Sequence, residues 1–173
     1  MNRVDYQRYR AEGYNRIPLA REVLADLDTP VSTYLKLARG PYSYLLESVE
    51  GGEKWGRYSF VGTAPRAIIR VIANTITIED RNGEITSHET DDPLAFLVKF
   101  VEDQKVVTLP DLPRFCGGLV GYLGYDMVRH VEDLPDIAIQ SHSYPDACML
   151  LTDVMVVFDS RRQSLFVISH ARV

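Results

Sequence analysis

The chain has 173 residues, 46% of them hydrophobic and 25% charged, an ordinary globular usage that excludes disordered, collagen-like and low-complexity classes and allows a real core. Its 19 Lys and Arg against 24 Asp and Glu leave a formal charge of −5, and no dense basic stripe is present to neutralise a phosphate backbone, which excludes nucleic acid as a partner. Cys116 and Cys148 lack Cys-x-x-Cys spacing, so neither a disulfide scaffold nor a zinc site is indicated.

In chain order, residues 4–12 read as a weak helix with Tyr6 and Tyr9 three apart, ended by Gly13. The first 16 residues hold no apolar run of the secretory type, and no stretch of the chain approaches the roughly 20 apolar residues of a membrane helix. A soluble, cytoplasmic protein without a membrane partner is expected. An extended segment over residues 17–23 follows. Thr29 as N-cap, Pro30 at the first helical position, the stripe Val31, Tyr34, Leu35 and Ala38, and Gly40 at the end define a second helix.

After Pro41 the period changes to two. Tyr42, Tyr44, Leu46 and Ser48 share one face of a strand, with Leu45, Glu47 and Val49 on the other, until Gly51-Gly52 breaks it. Residues 57–63 read as the next strand and residues 65–89 as three more, rich in β-branched side chains. Asn82-Gly83 marks a tight hairpin between residues 75–80 and 84–88. The first half is therefore expected to be an antiparallel meander.

Asp92 before Pro93 opens a helix with Leu94, Leu97, Val98 and Val101 at helical spacing up to Glu102, and residues 104–113 are a proline-containing loop. "FCGGLVGYLGYD" combines a strand with repeated glycines, and Asp126 is the expected cap of a short helix over residues 127–132. Pro135 and Pro145 bracket an irregular connection. Residues 147–173 read as two long strands joined by a polar turn at residues 159–163. With no repeat and no linker, the expectation is one domain over residues 1–173. It is of the α+β class, with antiparallel sheets in a sandwich-like core and flanking helices. The chain stops at Val173 in or just after an apolar strand, so a longer polypeptide is expected.

Catalytic chemistry needs a nucleophile with its base, paired acids or metal ligands, and none stands out. His88, His130, His142 and His170 are scattered, and Gly117, Gly118, Gly121 and Gly124 lack the lysine and hydroxyl of a phosphate loop. Those glycines read as places of close backbone approach. Asp91-Asp92 and Glu132-Asp133 read as solvated or capping acids, so no metal site is assigned.

Leu46, Glu47 and Ser48, followed by Lys54, Trp55, Arg57, Tyr58 and Ser59, hold what a free amino acid needs. An acceptor can take its ammonium, donors its carboxylate, and an apolar or aromatic wall its side chain. The same pattern also fits a half-buried strand with an exposed Glu47 and solvated basic residues.

"PYSYLLESVEGGEKWGRYSFVGTAPRAIIRV", "FCGGLVGYLGYDMVRHVEDLP" and "YPDACMLLTDVMVVFD", in this order, resemble the N-terminal part of anthranilate synthase component I, over residues 14–173. The resemblance implies an enzyme, a lyase converting chorismate to anthranilate and pyruvate. Ammonia comes from a glutamine amidotransferase partner, component II. The active site and its magnesium ion lie in a C-terminal chorismate-binding region absent from this chain, which is expected to be inactive alone and to hold no cofactor itself.

By the same resemblance this region carries the L-tryptophan feedback site. Its Leu-Glu-Ser motif falls on Leu46, Glu47 and Ser48, with a second strand contributing Arg57, Tyr58 and Ser59. The carboxylate donor is Lys54, Arg57 or backbone amides. The related aminodeoxychorismate synthase component I and a stand-alone amino-acid sensor are the alternatives.

Overall fold

Regular caps and alternating apolar positions account for most of the elements. The structure, a computed structural model, describes residues 3–38, 40–47, 56–135 and 144–173. In chain order these are α1 (Arg3–Ala11), β1 (Arg16–Leu24), α2 (Pro30–Leu37), β2 (Tyr44–Leu46), β3 (Tyr58–Gly62), β4 (Ala67–Ile72), β5 (Thr75–Asp80), β6 (Ile85–Glu89), α3 (Pro93–Glu102), β7 (Gly118–Leu123), a 3₁₀ turn Tyr125–His130, β8 (Ala147–Thr152), β9 (Val154–Asp159) and β10 (Ser164–Arg172). The class is α+β, with two antiparallel five-stranded sheets.

The chain forms two compact units, each assembled from separate stretches. The first takes Met1–Pro65, Gln104–Gly118 and Thr152–Val173, the second Arg66–Asp103 and Leu119–Leu151. The chain changes unit at Pro65, just after α3, within β7 and within β8.

The sheet of the first unit runs β1-β10-β9-β3-β2. Its alternation sends Met155, Val157, Phe166 and Ile168 to one face, where Tyr58, Phe60, Leu112, Phe115 and Cys116 pack on them. Val61, Val156 and Phe158 go to the other, against Leu45, Tyr34 and Ala25. α2 lies on β2 and β3 and is capped as expected. Thr29 and Ser32 exchange side-chain-to-backbone hydrogen bonds at 3.0 Å, the reciprocal capping box. The expected stripe of α2 is corrected. Thr33 and Tyr34 face inward, while Val31 and Leu35 are 48% and 74% exposed, because the half-buried Tyr34 ring sets the facing side of this two-turn helix.

The sheet of the second unit runs β6-β5-β4-β8-β7, with Ile69, Val71, Ile76, Leu97, Met127 and Ala147 as its core. Asp92 caps α3, accepting from the Ala95 N–H at 2.8 Å. The hairpin at Asn82-Gly83 spans three residues. The Gly83 N–H donates to the Asp80 carbonyl and Gly83 takes φ +82°, the type I turn with a left-handed third residue. Asp80 Oδ1 accepts from the Asn82 and Glu84 N–H groups at 2.8 and 2.9 Å and fixes it.

Three expectations are revised. The first-half meander is divided, since β2 and β3 belong to one sheet and β4, β5 and β6 to the other. The tail carries three strands, because β8 and β9 break at Asp153. Asp126 is not the cap of its turn. Gly124 holds that place without a side-chain bond, and Asp126 accepts from Arg129 Nε at 3.0 Å inside the turn.

In β7 Gly121 meets the expectation of close approach, whereas at Gly118 an added Cβ would meet only an ordinary contact, 3.6 Å from the Phe115 ring, and the positive φ of +135° is what calls for glycine. A Cβ on Gly121 would lie 1.9 Å from the Cys148 carbonyl oxygen of β8, a distance no side chain can occupy. Among the described residues no helix is long and apolar enough to cross a membrane.

Candidate functional site

The residues singled out by the sequence lie on and beside β2 and β3, at one edge of the first unit's sheet. Tyr42 adopts φ +64°, so extended structure begins only at Tyr44, and β2 is three residues long. Its pairing is Tyr44 with Gly62, Leu45 with Val61 and Leu46 with Phe60. The Tyr44 ring occupies the space over Gly62, where a Cβ would be 2.2 Å from ring carbons. A short strand is thereby pinned by one aromatic side chain.

Leu46 ends β2 and is 46% exposed. Glu47 follows it and is exposed. Ser48 and Lys54 lie outside the described residues. Tyr58 is half-buried on the face that carries Phe60. Ser59 pairs with Phe158 on the opposite face and is only 4% exposed. Period two thus separates Tyr58 from Ser59, while Leu46, by its pairing with Phe60, shares the Tyr58 face.

Arg57, read from sequence as a candidate carboxylate donor, is engaged within the protein. Its Nε donates to Asp159 Oδ1 at 2.9 Å and its Nη2 to Oδ2 at 2.5 Å, a bidentate pair. The guanidinium also lies over the Tyr58 ring, 4.8 Å from its centroid. Asp159 is 1% exposed and accepts two further bonds, from the Arg161 and Arg162 N–H groups at 3.1 and 3.2 Å. Burial by itself would raise the Asp159 pKa. The Arg57 bond, then the turn amides, outweigh it and hold the carboxyl below its ordinary value.

Asp159 is the residue the sequence reading missed, having placed it in a polar turn with no partner named. The signal was there: Met155, Val157 and Asp159 share one period-two face, and the first two are core. An acid continuing an inward row calls for a buried partner.

The first unit also holds a cavity of about 610 Å³. Pro18 and Glu22 of β1 and Phe166 of β10 line it, together with Leu112 and the Asp5 and Arg8 side chains of α1. Glu22 is held there by the buried Ser164 hydroxyl, which donates to it at 2.8 Å. β10 and β9 stand between β1 and β3 in the sheet, and none of the described candidate residues, Leu46, Glu47, Arg57, Tyr58 and Ser59, lines this cavity. Among the described residues no three His, Cys, Asp or Glu side chains converge as metal ligands.

No protein-family model matches the chain. It is 52% identical over 162 residues, 92% of its length, to "Anthranilate synthase component 1" of Pseudomonas putida, and covers 33% of that protein. The protein of the same name from Neisseria meningitidis serogroup C is 40% identical over 176 residues, with 99% of this chain and 36% of the relative aligned. A solved structure, anthranilate synthase component I from Streptococcus pneumoniae TIGR4, superposes with a TM-score of 0.55 at 26% identity, over 87% of this chain and 31% of the other. The chain spans about a third of the length of the curated relatives it matches.

Proposed function

We propose that this chain, related through nearly its whole length to anthranilate synthase component I, is part of such a subunit and carries its L-tryptophan feedback site. The observation that carries the reading is sequence similarity of 40 to 52% over 92 to 99% of the chain, to relatives with this one name. The subunit converts chorismate, with ammonia supplied by a glutamine amidotransferase, to anthranilate and pyruvate. Turnover resides in a chorismate-binding region that the relatives' greater length accommodates. This chain supplies control.

Leu46 and Glu47 stand exposed at the end of an edge strand, where a small molecule can reach an apolar side chain and a carboxylate together. Glu47 takes the ammonium of the amino acid, Ser48 hydrogen-bonds its polar end, and Leu46 offers apolar surface. Lys54 and backbone amides are the donors left for the carboxylate, because Arg57 is committed to Asp159. Tryptophan held here inhibits if it binds more tightly to the arrangement of the subunit that uses chorismate poorly, so that the two ligands oppose each other.

The test uses the full-length subunit with chorismate and ammonia, reading anthranilate formation against L-tryptophan concentration. Ser48→Phe is expected to fill the space of the indole, so that the variant turns over chorismate without being inhibited. Undiminished inhibition would remove the site from these residues. Formation of an aminodeoxychorismate product instead of anthranilate would remove the assignment of the reaction.

A further inference from the structure

A buried carboxylate with no apolar substitute demands a reason. Taking Asp159 out of water costs several kcal/mol before its partners are counted, and an apolar residue in the Met155–Val157 row would fill the same place more cheaply. What the charge adds is geometry. One carboxylate receives both the Arg57 fork and two N–H groups of the β9–β10 turn. The Arg57 carbonyl in return accepts from the Ser160 N–H at 2.9 Å. Residue 57, just ahead of β3, is thus fastened at both its main chain and its side chain to a turn 102 residues further along the sequence. The same guanidinium lies on the Tyr58 ring and limits where that ring can sit.

We infer that the Arg57–Asp159 pair is the positioning device of the proposed tryptophan site, fixing the start of β3 and the Tyr58 ring against the β9–β10 turn rather than touching the ligand. This rests on the feedback reading above. It reassigns Arg57 from ligand donor to support and adds Asp159, which is not among the residues that the resemblance assigns to the feedback site. A planar fork meeting a carboxylate admits one orientation, whereas a lysine would supply the charge without the register.

The experiment measures half-inhibition by L-tryptophan in the full-length subunit, each variant referred to its own uninhibited rate. Asp159→Asn keeps the shape and an acceptor for the turn amides but loses the charge. It is expected to raise the half-inhibiting concentration on the order of tenfold, within the usual range of coupling between sites. Arg57→Lys is expected to fall between Asp159→Asn and wild type, and serves as the second reading if Asp159→Asn does not fold. Ile168→Val perturbs the same sheet at a buried position paired with Met155 rather than with Asp159 and should leave the half-inhibiting concentration where it was.

A wild type that tryptophan does not inhibit overturns the feedback reading, and this inference with it. A wild type that is inhibited, with Asp159→Asn and Arg57→Lys inhibited equally, overturns the inference alone. So does an Ile168→Val shift as large as that of Asp159→Asn, since sensitivity would then follow general loosening of the sheet.

Discussion

The two units solve the same problem, a five-stranded antiparallel sheet, with different materials. Among the described residues the fully buried polar or charged side chains, Thr33, Ser59, Thr152, Asp159 and Ser164, all belong to the first unit. The second unit is held by an apolar cluster of Ile69, Val71, Ile76, Leu97, Met127 and Ala147, and by a glycine that lets β7 approach β8. Buried polar groups contribute stability only while they stay paired, and they cost it when a partner leaves. Apolar cores tolerate rearrangement at constant volume. The unit that accumulates polar pairs is therefore the one whose geometry is specified in detail, and it is also the one that carries the proposed site.

The largest expected effect breaks the second unit. Gly121→Ala forces a methyl group into the Cys148 carbonyl, a backbone atom that cannot turn aside, and should cost about 3 kcal/mol or more. Amide hydrogen exchange would show the loss as reduced protection of β4, β5 and β8. Unchanged protection there would mean that β7 is not seated on β8 as described.

A smaller effect sharpens the claim about the first unit. Ser164→Ala removes the hydroxyl that holds Glu22, and because Glu22 is then free to hydrate, the loss should be about 1 kcal/mol in denaturant unfolding. A variant as stable as wild type would show that this hydrogen bond adds nothing.

The last effect is pH-dependent. Burial pushes the His170 pKa below its ordinary value, and Arg16 adds to the shift against the opposing pull of Asp153. A histidine held neutral in the folded state binds fewer protons than in the unfolded chain. Its stability contribution is complete above about pH 6.5 and falls away below it. Protection of β9 and β10 amides should weaken as the pH falls below about 6.5, and His170→Gln should flatten that dependence. An equal dependence in both proteins would place the titrating group elsewhere.

Much of the local structure was legible. Thr29 with Pro30 and Asp92 with Pro93 announced two helices, because capping is a matter of neighbours in sequence. The Asn82-Gly83 turn and the strands beside it followed from period and turn chemistry. The stripe on α2 was misjudged, since Leu35 and Tyr34 satisfy helical spacing equally and only the sheet beneath selects Tyr34. In the candidate site, Leu46 and Glu47 were singled out by motif and residue type, and their exposure at the end of β2 is a matter of structure. That Ser59 is buried and Arg57 already paired could not, because both depend on β9.

By itself the sequence determined where strands and helices run, since backbone propensity, caps and side-chain alternation act within a few residues. It also determined kinship, through motifs that keep their order along the chain. Tertiary structure alone decided that β3 and β4, consecutive in the chain, belong to different sheets, and that Arg57 faces the buried carboxylate of Asp159. Alternation dictates which way a side chain points, but the partner waiting there comes from a strand far along the polypeptide, brought into place by burial of the whole sheet.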